Sequence, residues 1–321
     1  MNAPGQVPSV GTPSAQDVPL EATRLSDLRF SGIGDEAAPG LDRQLEAVRR
    51  LGWATVELRS VDGVAVADLD RAAFDRVVGT LADAGIGVSC VDSRIANWAR
   101  SVSTPFQDDL AELDVLAERC AALGTRQVRI MSYPNAGLPE PEWEREALAR
   151  IRRLTARAEA AGLLLLHENC AGWASSDPRR MLRMLEVADS PALRLLFDVG
   201  NGIAYGYQAF DLLADIAPWV RHVHVKDGTG DTSQQRYCLP GDGDCRVADS
   251  LRHLLEHGYR GTVSIEPHLN IRPHEGWADP SGDYVDAFVA YGRRLEHLVA
   301  EEVLRPLPDG SGTGPRKAVG W

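Results

Sequence analysis

Positive charge is in short supply in this 321-residue chain: 34 Lys and Arg stand against 46 Asp and Glu, a formal net charge of −12 at pH 7. An acidic surface repels phosphate backbones and anionic membranes, which argues against nucleic acid or a lipid surface as partner and leaves a small molecule. Cysteine is also sparse. Cys90, Cys120, Cys170, Cys238 and Cys245 are odd in number, with no CxxC pair and no dense framework, so they read as reduced thiols of a cytoplasmic protein. No apolar run approaches the roughly 18 residues that span a bilayer. The opening MNAPGQVPSVGTPSAQDVP has neither the basic start nor the apolar centre of a signal peptide. Two phosphate-binding signatures are absent as well. SGIGDEAAPG has a GxG but lacks the third glycine of a dinucleotide fingerprint, and the glycine-rich stretch DGTGDTSQQRYCLPGDGDCR carries no GKS or GKT.

What is present is one pattern, repeated. Short β-rich runs (RFSGI, ATVELRS, GVSCVD, RQVRIMS, LLLLHEN, LRLLFDV, HVHVKD and TVSIEP) alternate with amphipathic segments such as LDRQLEAVRRLG and DDLAELDVLAERCAALG, which stop at glycine as helix C-termini often do. Eight such units predict a closed (β/α)8 TIM barrel. A doubly wound open sheet is the competing arrangement, and the incomplete glycine fingerprint argues against it. The barrel is expected over residues 24–305. Residues 1–23, rich in Pro, Gly and Ser, read as a disordered tail and residues 306–321 as a flexible one.

RHVHVKD poses the functional question. As a strand it turns His222, His224 and Lys226 to one face and Val223 and Val225 to the other. In a barrel the valines pack on helices, His224 and Lys226 face the C-terminal mouth, where barrel active sites lie, and His222 lies one layer deeper. Neighbouring runs repeat the register: Leu164 and Leu166 precede Glu168, Leu196 precedes Asp198, and Ser264 precedes Glu266. A strand-end carboxylate alone is more often a helix cap or a solvated charge, and a single histidine more often a hydrogen-bonded core residue. Glu168, Asp198, His224 and Glu266 together are a different matter. Three carboxylates converging inside a barrel repel one another and lose solvation unless a cation neutralises them, so the set implies one divalent metal ion. Three oxygens and one imidazole favour Mn²⁺, then Mg²⁺ or Co²⁺, with Zn²⁺ also compatible.

HEN, FDVGN, HVHVKDG, LPGDGD and GYRGTVSIEPH, in this order, resemble the xylose isomerase-like TIM barrels, the sugar phosphate isomerase/epimerase superfamily, over roughly residues 28–300. The resemblance implies that Glu168, Asp198, His224 and Glu266 hold the metal, with Glu168 and Glu266 also catalytic in proton transfer. It implies a sugar or polyol substrate and pairing into homodimers or homotetramers. In ketose 3-epimerases of this type a histidine usually contacts substrate three residues after the metal-binding aspartate; Asn201 stands there in this chain, which weakens the case for a free ketohexose.

The chemistry expected of such a site is proton removal next to a metal-chelated carbonyl through an enediolate. Proton return to the other face gives epimerisation, return to the adjacent carbon gives isomerisation, and loss of a β-hydroxyl gives dehydration. The leading expectation is therefore a sugar or ketose isomerase or epimerase, and the alternative a lyase such as an inosose-type dehydratase. An AP-endonuclease-like repair enzyme is remote, because it requires more inward histidines and a basic surface. Lys226 is an expected enolate or anion contact, or else a surface charge. Glu57, Arg59, Arg129 and His222 share the inward register as expected substrate contacts. For Glu57, Arg59 and Arg129 the plainer reading is an internal ion-pair network. Trp98 and Trp173 are expected as walls against sugar C–H faces, or as packing residues. The long loop after RHVHVKD is expected to cover the mouth.

Overall fold

A computed structural model of the chain describes Leu20 and residues 23–273, 276–280 and 284–305. The expected C-terminal tail lies outside these residues, as does the N-terminal one except for Leu20, which packs against the core, and Thr23, which is buried.

All eight expected strands form: β1 (Arg29–Gly32), β2 (Thr55–Leu58), β3 (Gly87–Asp92), β4 (Gln127–Ser132), β5 (Leu164–Gly172), β6 (Leu193–Asp198), β7 (Val220–Val225) and β8 (Thr262–Ile265). They make one sheet in the order β1-β8-β7-β6-β5-β4-β3-β2, all pairs parallel. A parallel bridge between Ile33 and Glu57 joins the two edges, so the sheet is a (β/α)8 barrel.

Helices α1 (Leu41–Leu51), α2 (Arg71–Ala84), α3 (Phe106–Leu123), α4 (Glu140–Ala160) and α5 (Pro178–Ala188) follow the first five strands. Between β6 and β7 lie the short α6 (Asn201–Tyr205) and α7 (Leu213–Ile216); α8 (Val247–Glu256) and α9 (Tyr284–Leu298) follow β7 and β8. The predicted glycine stops are real: Gly52, Gly85 and Gly124 take φ of 71°, 64° and 71°, a left-handed conformation that costs a glycine nothing sterically. None of the described helices is long and apolar enough to cross a membrane.

Alternation along each strand divides the apolar residues into two cores. Val223, Val225, Phe197, Leu195, Leu165 and Ile265 belong to the large cluster between strands and helices, where burying each side chain stabilises the fold by about 1.5–3 kcal/mol. Leu166, Leu196 and Cys90 form a small separate cluster inside the barrel, with Leu164 against it. The inward residues one step further along β5 and β6 are Glu168 and Asp198. Register then sets neighbours: Asp198 pairs with His224 across β6 and β7, and His224 with Ser264 across β7 and β8, two residues before Glu266.

Candidate metal centre and active site

Four adjacent strands bring the expected ligands together. His224 Nδ1 lies 3.9 Å from Glu168 Oε1, 3.9 Å from Asp198 Oδ2 and 3.7 Å from Glu266 Oε2. One donor atom from each of the four residues lies within 4.8 Å of all the others, and all four residues are buried. His224 Nδ1 makes no hydrogen bond, and Asp198 Oδ2 meets the Lys226 ammonium at 2.9 Å. An orphaned imidazole nitrogen facing three carboxylates is a donor set that suits a divalent cation.

The orientation of His224 comes from beneath. Its Nε2 lies 3.0 Å from Glu57 Oε1, and His222 Nε2 lies 2.8 Å from Glu57 Oε2. A carboxylate only accepts, so Nε2 of His224 donates to Glu57, and Nδ1 is the ring nitrogen turned toward the other carboxylates. Burial opposes ionisation of Glu57, yet the two imidazoles hold its carboxyl well below the usual range. His224 feels burial pulling it down, but Glu57, Asp92 and Glu266 push it up to about 10. Burial, with Glu266 and Glu168 adding and Lys226 opposing, pushes Asp198 up to about 7. The His224 shift reflects the carboxylates around it, and the Asp198 shift chiefly its burial.

Each acidic residue of this set is anchored. Asp198 Oδ1 accepts from the backbone N–H of Gly200 (2.7 Å) and Asn201 (2.9 Å), leaving Oδ2 inward. Asn169 fixes the same strand end, donating to the Asp198 carbonyl at 2.9 Å and accepting from its N–H at 2.6 Å. Glu168 accepts from Asn201 Nδ2 at 2.8 Å on Oε1 and from Arg129 at 2.9 Å on Oε2. Glu266 accepts from Arg59 at 3.1 Å on Oε1 and pairs with Lys226 through Oε2. Burial works against ionisation of both glutamates. Arg129 and His224 nonetheless hold Glu168 low, and Lys226, His268, His224 and Arg59 hold Glu266 well below the carboxylate range.

A cavity of about 220 Å³ opens over these groups. Arg59, Arg129, Lys226, Asn201 and Trp98, five of the expected substrate contacts, line it along with Glu168 and Glu266. Lys226 is buried, not a surface charge. Arg59 and Arg129 line the cavity and also form the ion-pair network of the plainer reading: Arg59 with Asp35, Glu36 and Glu266, Arg129 with Asp92 and Glu168. Trp98 is 42% exposed at the rim.

Three expected substrate contacts are placed elsewhere. Glu57 and His222 do not line the cavity; they sit one layer below it, bound to each other and to His224, because the inward register carries them past the mouth. Trp173 is 4% exposed and does not line the cavity either. Its Nε1 bonds Glu140 Oε1 at 3.2 Å and Arg180 lies over its ring, the packing role. Trp173→Phe is accordingly expected to cost about 1–2 kcal/mol in denaturant unfolding while leaving divalent-metal affinity unchanged. A loss of metal affinity without loss of stability would return Trp173 to the site.

Several site residues had no assigned role. Asp35 and Glu36 close Arg59 from the turn after β1, and Glu36 Oε1 meets His268 Nδ1 at 2.8 Å. Their signal is the GDE that follows the SGI of the first strand. His268, two residues past Glu266, lines the cavity, as do Tyr205 and Tyr237. Tyr237 comes from the long loop, which folds as a hairpin of Asp227–Asp231 with Gln234–Cys238. Asp227 pins that loop, its Oδ1 accepting from Gly228 N and Cys245 N and its Oδ2 from Gly241 N and Gly243 N. A larger cavity of about 810 Å³ lies at the opposite end, lined by strand starts such as Arg29, Thr55 and Gln127. It contains none of the four ligand residues.

The xylose isomerase-like TIM barrel family matches residues 45–286. This chain belongs to that family. The chain is 29% identical over 210 residues to the 2-epi-5-epi-valiolone 7-phosphate 2-epimerase of Actinoplanes sp., an alignment covering 62% of this chain and 74% of that enzyme. It is 24% identical over 183 residues to the inosose dehydratase of Geobacillus kaustophilus, covering 51% of this chain and 57% of that one, so the match spans little more than half of the dehydratase. Among solved structures, the IolI protein with a bound zinc atom superposes with a TM-score of 0.68 at 14% identity, covering 86% of this chain and 99% of that one; at this identity the likeness concerns the fold.

Proposed function

We propose that this family member is a divalent-metal-dependent epimerase or isomerase of a small sugar, ketose or polyol, working by proton transfer at a carbon next to a carbonyl. The observation that carries the reading is the orphaned Nδ1 of His224, held by Glu57 and facing Glu168, Asp198 and Glu266 below a polar cavity. Mn²⁺ suits three oxygens and one imidazole, and Mg²⁺, Co²⁺ and Zn²⁺ fit the same donors. Such an ion, when bound, supplies Lewis-acid polarisation of a carbonyl oxygen.

The chain's own groups account for the rest. Glu168 and Glu266 are held ionised and can accept a proton. They come from β5 and β8, with β6 and β7 between them, and so approach the substrate from different sides. Asn201 and Arg129 keep Glu168 aimed, and Arg59 does the same for Glu266. Trp98, Tyr205 and Tyr237 offer aromatic faces to sugar C–H groups. The relative that epimerises a cyclic polyol derivative supports this outcome.

Dehydration is the second reading. His268 lines the cavity with Glu36 on its Nδ1, a placement suited to protonating a departing hydroxyl, and inosose dehydratases are among the relatives. The net charge of −12 argues against the endonuclease-like reading, which needs a basic surface for DNA.

The test is to incubate the Mn²⁺-loaded protein with keto-sugars and inososes in deuterated water and follow them by NMR and mass spectrometry. An epimerase puts deuterium on the carbon next to the carbonyl and inverts it; a dehydratase gives a product lighter by one water. Turnover with no solvent deuterium entering any product would overturn proton transfer and favour a hydride shift.

A further inference from the structure

We propose that Lys226 competes with the divalent ion for Asp198 and Glu266 and so sets how tightly that ion is held. The inference rests on the reading that Glu168, Asp198, His224 and Glu266 are the metal ligands. Lys226 Nζ lies 2.9 Å from Asp198 Oδ2 and 2.5 Å from Glu266 Oε2. These are two of the three carboxylate oxygens that face His224 Nδ1. A divalent ion on those oxygens and an ammonium on the same oxygens repel each other and need the same lone pairs.

The lysine is built into this position. It is 3% exposed, and its stem passes directly over the turn after β6. A Cβ at Gly200 would come within 2.0 Å of Lys226 Cγ and 2.7 Å of the Lys226 carbonyl oxygen, so the side chain lies where it does because residue 200 has none. The sequence therefore makes room for a cation inside a site whose other charges already suit a metal. With those lone pairs taken by an ion, the Lys226 ammonium would be left to the cavity that it lines, where its donors would suit a substrate oxygen. Metal binding and recognition of that oxygen are thereby linked through one side chain.

Calorimetric titration of the chelator-treated full chain with Mn²⁺ tests this. Lys226→Met is expected to bind Mn²⁺ at least about tenfold more tightly than wild type, and Lys226→Arg, which keeps the charge, within about threefold of it. Structural damage lowers metal affinity, so a rise has no such origin. The metal-free Lys226→Met protein is also expected to melt below metal-free wild type, with Mn²⁺ closing the gap. If that variant does not fold, Lys226→Gln in its place is expected to show the same rise. Unchanged or weaker binding in the neutral variants overturns the competition. Failure of wild type to take up Mn²⁺ overturns the ligand assignment beneath it and this inference with it.

Discussion

Replacing either Glu168 or Glu266 by glutamine is expected to slow turnover at least about a hundredfold, the lower end of what general acid–base catalysis contributes. Glutamine keeps the length of the side chain and removes its basicity. The structure adds a second effect. Both oxygens of Glu168 receive donors, Asn201 on one and Arg129 on the other, and Glu266 is likewise shared between Arg59 and Lys226. An amide cannot accept at both ends, so its NH₂ must face a donor, which weakens the anchoring as well as the chemistry. Loss of aim and loss of base are separable. Loss of aim alone slows exchange and inversion together. Loss of one base in an epimerase leaves the intact glutamate exchanging solvent deuterium into the substrate without inverting it. Near-normal turnover in both variants would remove the two carboxylates from the mechanism.

The fold was legible because every barrel strand presents apolar residues to its helix, as Val223, Val225, Phe197 and Ile265 do here. The inward carboxylates were legible for the same reason: a polar residue ending an otherwise apolar inward row, Leu164, Leu166, Glu168 or Leu196, Asp198, breaks a pattern that packing alone would continue. His222 lies one layer below the mouth, as its place two residues before His224 on the strand implies, whereas Glu57 shares the inward period with Arg59, and period alone does not give its depth. The contact of Glu57 with His224 Nε2 joins residues 167 positions apart and leaves no local trace. Asp35, Glu36 and His268 lie in turns beyond strand ends, where no alternation exists to interrupt. Trp173 immediately follows β5 and is packed against Arg180, while Trp98, six residues past β3, stands at the rim. Proximity to a strand end alone does not place a side chain at the mouth.

His224→Ala and Asp198→Ala are each expected to abolish stoichiometric metal binding, measured by elemental analysis after dialysis against a stated excess of Mn²⁺. Removing His224 takes away the nitrogen donor and leaves Glu57 with a single imidazole partner, a buried carboxylate half unpaired. Removing Asp198 takes away one inward oxygen, and the N–H groups of Gly200 and Asn201 lose their acceptor, so the turn after β6 loosens as well. Glu57→Gln is expected to be milder, weakening Mn²⁺ about ten- to a hundredfold, the usual cost of losing the group that orients a metal-binding histidine. Its amide has one oxygen for two imidazole N–H donors. One histidine must then accept from the NH₂ and carry its proton on Nδ1, and when that histidine is His224 the proton occupies the very atom that faces the metal. Metal retained at full stoichiometry in both ligand variants would mean that the four inward residues gather for some other reason. An undiminished affinity in Glu57→Gln alone would place the tautomer change at His222 and leave the ligand set standing.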